Sequence, residues 1–229
     1  MNQDIHEVQA TILRELLFHN GSAFSALNKL ALSNDHFTFH LKRLLSEEII
    51  EKKGRLYFLT QKGKQIAGKL DVFGLKMEKF GTPSVAVSAT KIIKGEKHFL
   101  LQQRLKEPMY GYYGFINGKI KFGEFSEETA KRELEEETGL RGEPQFITIQ
   151  HRLRGPSRDQ IKLDHYFFIY LFKDPIGELR DSEEGKNFWF TLEEIGQLNT
   201  FPGFEHSLDV VLEKTEAKYI ETFIEVDEI

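Results

Sequence analysis

The sequence predicts an α/β protein of two domains, a short helical domain followed by a longer domain of strands and helices. Apolar residues recur at helical spacing through most of residues 4–69, with one strand pair around Lys53-Gly54. From Ser84 onward the pattern changes to short alternating stretches, which predict strands. A strongly acidic helix interrupts these strands and ends at Gly139, a residue that suits the left-handed end of a helix. A length of 229 residues accommodates two domains.

The composition is that of a soluble globular protein, with 40% hydrophobic and 29% charged residues. The chain has no cysteine, which excludes disulfides and thiolate zinc sites and predicts a reducing compartment. Its first residues are polar and no apolar run reaches transmembrane length, so we expect a cytoplasmic protein. Residues 1–75 hold ten Lys or Arg and eight Asp or Glu, whereas the remainder holds 21 and 28. A mildly basic first domain suits a polyanionic partner.

The first domain, residues 1–75, is predicted to contain four helices and one hairpin. The predicted helices cover residues 4–19, 22–32, 35–47 and 60–69, and two short strands lie between residues 49 and 59. Asn20-Gly21 is predicted to end the first helix. Ser33 or Asn34 is predicted to cap the third helix, and Thr60 the last.

This order of elements resembles the winged-helix domains of bacterial and archaeal transcription regulators, and the segment FTFHLKRLLSEEIIEKKGRLYFLTQKGKQIA carries the likeness. The resemblance implies that the third helix enters the major groove of DNA and that the hairpin, or wing, touches the DNA backbone. The matching candidates are His36, Thr38, Lys42 and Arg43 on the helix, with Lys52, Lys53 and Arg55 on the wing. The alternative is a protein-contact or dimerisation module, which makes a homodimer the second partner hypothesis.

A connector is predicted over residues 76–82, and the second domain covers residues 83–229. Alternation predicts strands over residues 85–89, 98–103, 112–116, 145–154, 163–172 and 187–190. Thr191 is predicted to cap a helix that reaches residue 198, and a closing helix fits residues 205 to about 223.

One helix of the second domain is predicted with defined ends. It lies in the stretch GKIKFGEFSEETAKRELEEETGL, which begins at Gly118. Ser126 is predicted to cap the helix, and the first turn carries acids, which suit the positive end of the helix dipole. Gly139 is the predicted stop.

Three carboxylates share one face of this helix, because Glu133, Glu136 and Glu137 stand at i, i+3 and i+4. Glu135 points to the opposite side. Clustered carboxylates repel one another unless a cation is present, and carboxylate oxygens suit hard divalent ions such as Mg²⁺ or Mn²⁺. The alternative is that this acidic run is only a solvated helix face.

The spacing Gly-x5-Glu-x7-Arg-Glu-aliphatic-x-Glu-Glu-x-Gly-aliphatic resembles the box of the Nudix hydrolase family at every defined position. A chance match is on the order of one in a billion per start position, which favours the functional interpretation. The resemblance implies an α/β/α sandwich over about residues 83–225. It also implies a loop–helix–loop that holds divalent metal against a diphosphate.

The resemblance assigns roles to individual residues. Glu133, Glu136 and Glu137 match the metal-binding acids, and Glu124 and Arg132 match the pair that orients them. The backbone carbonyl of Asn117, directly before the box glycine, would bind a metal. Two residues depart from the pattern. Ile116-Asn117 replaces the usual Pro-Gly, and Lys121 replaces an acid, which places a positive charge near the phosphates.

Other residues are weaker candidates. Glu183 or Glu184 is a candidate further metal ligand or general base, against the alternative of a polar loop acid. The candidate phosphate contacts are Arg104 at a strand end and a basic loop of Arg152, Arg154, Arg158 and Lys162. The candidate nucleobase-stacking residues are Tyr110, Tyr112, Tyr113 and Phe115, with core packing as the alternative. The eight histidines show no metal-ligand spacing, and we expect His165 to be a packed core residue.

The leading functional hypothesis is a magnesium-dependent hydrolase that cleaves a nucleoside diphosphate linked to another moiety, by attack of water on phosphorus. The alternative is a winged-helix transcription regulator whose Nudix domain senses a nucleotide metabolite such as ADP-ribose. A third hypothesis is a binding scaffold without either activity, and the complete set of box acids argues against it.

Overall fold

The computed structural model describes residues 5–70, 79–212 and 219–226. It divides into two compact units, residues 1–79 and 80–229. The predicted connector, residues 76–82, lies outside the described residues up to residue 78, and its last residue begins a strand. No helix in the described ranges combines the length and the apolar character that a bilayer crossing requires.

The order of elements in the first unit is compatible with the predicted winged helix. Its elements are α1 (Glu7–Phe18), β1 (Ser22–Ala23), α2 (Phe24–Leu27), α3 (Asn34–Ser46), β2 (Ile50–Lys53), β3 (Leu56–Leu59) and α4 (Gln61–Ala67). The sheet order is β1-β3-β2, and the hairpin β2–β3 is the wing. Ser33 caps α3 and Thr60 caps α4, as predicted. The core of this unit centres on Ile12, Leu13, Leu16, Phe37 and Leu44, which are all buried.

The predicted helix over residues 22–32 is wrong in length. Only Phe24–Leu27 is helical, because Ser22 and Ala23 pair with β3 instead. The side chain of Asn28 then bonds the backbone of Leu32 twice, at 2.8 and 3.0 Å. An Asn side chain that satisfies local backbone groups in this way competes with helix continuation.

The second unit is built on one mixed sheet. The strands of the unit are β4 (Thr82–Ile93), β5 (Glu96–Arg104), β6 (Tyr113–Gly114), β7 (Ile116–Lys119), β8 (Leu140–Arg141), β9 (Pro144–Gly155), β10 (Leu163–Lys173), β11 (Ile176–Gly177), β12 (Gly185–Phe190) and β13 (Tyr219–Glu225). Strands β8 and β11 form a separate two-stranded sheet. The helices of the unit are α5 (Ser126–Thr138), α6 (Leu192–Ile195) and α7 (Phe204–Val211). The main sheet runs β12-β5-β4-β10-β9-β13, while β6 pairs with β5 and β7 with β4. The pairs β10–β4 and β13–β9 are parallel.

Helices cover both faces of this sheet, which makes the predicted α/β/α sandwich. On one face α5 packs through Ala130 and Leu134 against an apolar cluster that includes Phe172. On the other face α6 and α7 pack through Ile195 and Phe204. Because side chains alternate along a strand, consecutive residues of β10 belong to opposite faces. The sheet therefore fixes which side of the unit each functional side chain reaches.

The predicted closing helix, residues 205 to about 223, is wrong at its end. Helix α7 stops at Val211, residues 213–218 lie outside the described ranges, and residues 219–225 form β13. Strand β13 pairs in parallel with β9, with Tyr219 beside Ile149. The sequence YIETFIE is rich in aromatic and β-branched residues, which fit a pleated sheet edge better than a helix.

Candidate active site

Gly118 sets the distance between the sheet and the acidic helix. It lies in β7 opposite Val85, and the carboxyl group of Glu133 packs directly against its α-carbon. A Cβ atom at this position would come within 2.0 Å of Glu133 Cδ. Any larger residue would therefore displace Glu133 or shift β7 from α5.

The ends of α5 only partly match the prediction. Gly139 ends the helix with a left-handed φ of 74°, as predicted. Ser126 is not the cap, since the N-cap residue is Phe125 and its backbone N–H donates to Glu128 Oε2 at 2.9 Å. The Ser126 hydroxyl instead bonds the Tyr170 hydroxyl at 2.8 Å. A contact with the sheet thus replaces the cap that the sequence pattern favours.

Arg132 ties the loop before α5 to the acidic face of the helix. Its Nε and Nη2 donate to the two carboxylate oxygens of Glu124 at 2.7 and 2.9 Å, a bidentate pair. Its Nη1 donates to Glu133 Oε1 at 2.6 Å and to Glu136 Oε2 at 3.0 Å. One guanidinium therefore holds three carboxylates, and two of them converge on the same nitrogen.

The pKa values of this cluster show how strongly its charges are coupled. The hydrogen bonds from Arg132 lower the pKa of Glu124 to about 2, and those same contacts raise the pKa of Arg132. Burial raises the pKa of Glu133, against the opposing effect of Arg132. A further cation beside the buried carboxylate of Glu133 would favour its charged form.

The remaining two acids of the face differ in exposure. The Glu136 side chain is 55% exposed, whereas Glu137 Oε2 is hydrogen-bonded by the Ser182 hydroxyl and by Gln102 Nε2, the latter at 3.1 Å. Glu135, on the opposite side, pairs with Arg141. Neither Gln102 nor Ser182 could be identified from the sequence, because they lie 35 and 45 residues from Glu137 in the chain.

The donor set of this face fits a hard divalent cation. All three groups are carboxylates, the ligands that Mg²⁺ and Mn²⁺ prefer, and one of them is buried. Glu133, Glu136 and Glu137 would hold the ion. Within the described ranges, no three His, Asp or Glu side chains are already arranged as a ligand cluster.

Comparison with known proteins identifies the family of the chain. The NUDIX domain family model matches residues 82–210, more than half of the 229 residues. The chain belongs to the Nudix family. It is 30% identical over 159 residues to the "ADP-ribose pyrophosphatase" of Methanocaldococcus jannaschii, which covers 67% of this chain and 87% of that protein.

Two further matches are a second relative and a solved structure. Over 115 residues the chain is 29% identical to the "Uncharacterized Nudix hydrolase YvcI" of Bacillus subtilis, which covers 47% of this chain and 69% of that protein. The NUDIX domain of Shewanella oneidensis NrtR, solved in complex with ADP ribose, matches with a TM-score of 0.53 at 16% identity. That match covers 68% of this chain and 99% of the NrtR domain, and it shows a shared fold.

The two departures from the Nudix box lie beside Glu133 and Glu124. Asn117 lies in β7 opposite Ala86 of β4. It directly precedes Gly118, which contacts Glu133. Its side-chain amide donates to the Phe115 carbonyl at 2.9 Å. Lys121 has an exposed side chain, and its backbone N–H donates to Glu124 Oε2 at 3.2 Å. Its backbone thus helps to hold the loop before the Nudix helix.

Of the two candidate acids before β12, the structure connects one to the Nudix site. Glu184 forms an ion pair with Lys106, a residue that the sequence did not suggest. Glu183 is exposed and has no side-chain hydrogen bond or ion pair within the described residues. Lys106 lies two residues beyond the end of β5. A basic residue soon after a predicted strand was the signal that could have made it a candidate.

Arg104, a candidate phosphate contact, bonds three backbone carbonyls of the loop that follows it. Its Nε donates to the backbone carbonyls of Lys106 at 2.9 Å and Pro108 at 2.7 Å, and its Nη2 to that of Glu107 at 3.3 Å. Its guanidinium thus holds the loop that follows β5.

The predicted basic loop is wrong for two of its four members. Arg152 and Arg154 lie in β9, where Arg152 is buried and contacts Gln150 and Ser207. Burial, and next the charge of Arg154, lowers the pKa of Arg152. Arg158 lies over the ring of Phe223 at 5.7 Å. The fourth member, Lys162, is exposed.

Most of the aromatic candidates pack within the unit. The Tyr112 ring stacks on Phe201 at 6.0 Å and Tyr113 meets Phe190 edge-on at 5.8 Å. Phe115 is buried against Phe204. These contacts favour the core alternative, and Tyr110, which is 60% exposed, is the one candidate of the four that remains open to a ligand. His165 is partly buried beside Phe167, and burial lowers its pKa.

Proposed function

We propose that the protein is a divalent-metal-dependent Nudix hydrolase that cleaves a nucleoside diphosphate linked to another moiety. The observation that carries this proposal is the face of α5, where Arg132 bonds Glu133 and Glu136, and where Glu137 is held by Gln102 and Ser182. A solvated acidic helix has no use for a buried carboxylate, and Glu133 is only 8% exposed. The box acids are thus built for a cation and an anionic substrate.

The chain's own residues prepare the site in three ways. Arg132 fixes the carboxylates through Glu124, so that the helix face and the preceding loop keep one geometry. Gly118 lets the β7 backbone approach Glu133. Gln102 and Ser182 orient Glu137 through hydrogen bonds to its Oε2 atom. A magnesium ion bound by the three acids would neutralise the diphosphate and lower the pKa of bound water.

ADP-ribose is the first substrate to test. The relative from Methanocaldococcus jannaschii is named an ADP-ribose pyrophosphatase, and the match covers 87% of its length. Attack of water on one phosphorus atom of ADP-ribose breaks the bridging P–O bond and gives AMP and ribose 5-phosphate. The box acids and their metal would contact the diphosphate and not the nucleoside, so a panel of nucleoside diphosphate derivatives belongs in the same experiment.

The test is turnover of ADP-ribose and this panel with Mg²⁺, Mn²⁺ or a chelator, measured by release of nucleoside monophosphate. We expect turnover with either metal and none with the chelator. Reaction in ¹⁸O-labelled water will place the label on the phosphorus that is attacked. Failure of the wild-type protein to cleave any member of the panel with either metal would contradict the proposal.

A second candidate function is transcriptional regulation by the first unit, with the Nudix unit as nucleotide sensor. The winged-helix architecture favours it, because α3 presents exposed His36, Lys42 and Arg43. Two of the basic candidates are already paired, Arg43 with Glu47 at 2.9 Å and Lys53 with Glu51 at 2.7 Å. These pairs reduce the charge available to a DNA backbone and keep this function second.

DNA binding is tested by titrating the full chain with DNA from its own promoter region at two salt concentrations, with and without ADP-ribose. A regulator should lose affinity steeply with salt, and ADP-ribose should change the DNA affinity. Absence of binding at low salt would leave the first unit as a protein-contact module.

A further inference from the structure

Two loops of the Nudix unit meet and are joined by a backbone hydrogen bond. The first loop follows β5 and carries Lys106, and three of its backbone carbonyls accept hydrogen bonds from Arg104. The second precedes β12 and carries Glu184. The backbone N–H of Leu105 donates to the Glu184 carbonyl at 2.9 Å, which joins the two loops. Lys106 and Glu184 are thus brought together by backbone contacts as well as by charge.

The ammonium group of Lys106 lies within the electrostatic field of the Nudix acids. Burial and then the charge of Arg104 lower its pKa, and Glu137 and Glu133 act in the opposite direction. The charge of Lys119, directly after the box glycine, also lowers the pKa of Lys106. The direct partner of Lys106 is the carboxylate of Glu184.

Glu184 is connected to the same face through one side chain. The Ser182 hydroxyl donates to Glu137 Oε2 and accepts from the backbone N–H groups of Glu184 at 3.1 Å and Gly185 at 3.2 Å. Ser182 thus fixes the position of Glu184 relative to Glu137. The ion pair of Lys106 and Glu184 lies at the mouth of the acidic face and not at a remote surface.

We propose that Lys106 is a substrate-binding residue that takes the diphosphate, and that Glu184 holds its ammonium group in place until the diphosphate arrives. The inference rests on the proposed function, because it assigns Lys106 to the same substrate. Lys106 exchanges one partner for another, from the Glu184 carboxylate to a phosphoryl oxygen. Glu184 competes with the substrate for the same cation.

The exposure of the pair makes this exchange favourable. The side chains of Lys106 and Glu184 are 42% and 50% exposed, and ion pairs that solvent reaches contribute little to stability. A diphosphate carries more than one negative charge and offers several acceptor oxygens to the same ammonium. The loop needs no rearrangement, since Arg104 holds its backbone through contacts that do not involve the Lys106 side chain.

The competing explanation is that the ion pair is only a latch between the two loops. The two explanations differ in sign. A latch makes Lys106→Gln and Glu184→Gln equivalent, because either change breaks the same contact. Competition for the ammonium gives the two variants opposite effects on substrate affinity. Loss of Lys106 removes a phosphate ligand, whereas loss of Glu184 frees the Lys106 ammonium to bind phosphate.

The first experiment measures KM and kcat for ADP-ribose with Mg²⁺ in the wild type, Lys106→Gln, Glu184→Gln and the double variant. We expect Lys106→Gln to raise KM about tenfold, the effect of one charge-assisted hydrogen bond. Glu184→Gln should lower KM, and the double variant should resemble Lys106→Gln. Lys106→Arg should restore part of the affinity. Lys91→Gln, which changes an exposed lysine near the β4–β5 turn, is the matched control and should leave KM unchanged.

The second experiment needs no turnover and separates this inference from the proposed function. Calorimetric titration with magnesium pyrophosphate should show weaker binding in Lys106→Gln and tighter binding in Glu184→Gln. If the three proteins bind pyrophosphate in this order of affinity but the wild type cleaves no nucleotide, only the proposed function is contradicted. Equal shifts of the same sign in the two variants, or a Lys106→Gln protein with wild-type affinity, would overturn the role of Lys106.

Discussion

Two arginines of the Nudix unit, Arg132 and Arg152, lie in opposite electrostatic environments. Arg132 contacts three carboxylates, and these contacts raise its pKa. Arg152 is 7% exposed and contacts an amide and a hydroxyl, Gln150 and Ser207, while burial lowers its pKa. Both remain protonated near neutral pH, because arginine keeps its proton in proteins.

The difference shows what each arginine holds. Arg132 is surrounded by more negative charge than it can neutralise, so its cluster still attracts a cation. Arg152 brings a charge into the sheet and joins β9 to α7 through neutral partners, with its guanidinium over the Phe167 ring at 5.1 Å. We infer that the Arg132 cluster serves chemistry and the Arg152 cluster serves packing.

The largest expected effect lies in the acids around Arg132. Glu137→Gln should keep the fold but lower kcat for the preferred nucleotide by on the order of 10³, because a lost metal ligand removes several kcal/mol of transition-state stabilisation. Glu135→Gln is the matched control, since Glu135 lies on the opposite side of α5 and pairs with Arg141. Steady-state kinetics of both variants measure the difference. Equal losses in the two variants would show that the metal face is assigned wrongly.

A smaller effect is expected from the clamp itself. Arg132→Met should lower kcat by about 10–100-fold, the range for residues that orient metal ligands. It should also lower the free energy of unfolding by about 2–3 kcal/mol, because Glu124 and Glu133 lose their partner while they remain largely buried. Chemical denaturation monitored by circular dichroism gives the second number. An Arg132→Met protein as active as the wild type would remove Arg132 from the positioning role.

The corresponding change at Arg152 should cost less. Arg152→Met should alter the free energy of unfolding by about 1 kcal/mol or less, because Ser207 Oγ still donates to Gln150 Oε1 at 3.0 Å and a buried charge is removed. The same denaturation experiment places the two arginines on one scale. If Arg152→Met proves the more destabilising, the contrast between the clusters fails.

The contrast also marks where sequence patterns suffice. The acids of α5 were predictable because the helical period alone places positions i, i+3 and i+4 on one face. The strand over residues 145–154, which carries Arg152 and Arg154, was predictable from alternation, but no sequence pattern indicated that Arg152 is buried. The burial of Arg152 depends on α7, which packs against β9 from a distant part of the chain.

Tertiary contacts explain the other differences between prediction and structure. Ser126 bonds the Tyr170 hydroxyl instead of capping α5, and residues 219–225 pair with β9 instead of forming a helix. Lys106 acquires its place only when two loops meet. Such pairings carry no periodicity, so a single sequence does not reveal them.

The smallest expected effect concerns His151, on the sheet face opposite Arg152. Burial alone would lower the pKa of His151, but hydrogen bonds with Glu221 and Asp164 outweigh it and raise the pKa above 6.5. Its contribution to stability is therefore complete below about pH 6.5 and is lost as the pH rises through the raised pKa. The melting temperature of the wild type, compared with His151→Gln from about pH 5 to about pH 9, should converge on that of the variant at the alkaline end. A difference that grows with pH would contradict this sign.

Direct metal binding tests the central claim without any choice of substrate. Mn²⁺ titration of the full chain, followed by electron paramagnetic resonance, should show a bound ion in the wild type. Glu136→Gln and Glu135→Gln remove one exposed carboxylate each from neighbouring positions of α5, so general charge effects are matched. We predict that Glu136→Gln weakens Mn²⁺ binding at least about tenfold and that Glu135→Gln leaves it unchanged. Equal affinities in all three proteins would contradict a metal site on the face that Arg132 organises.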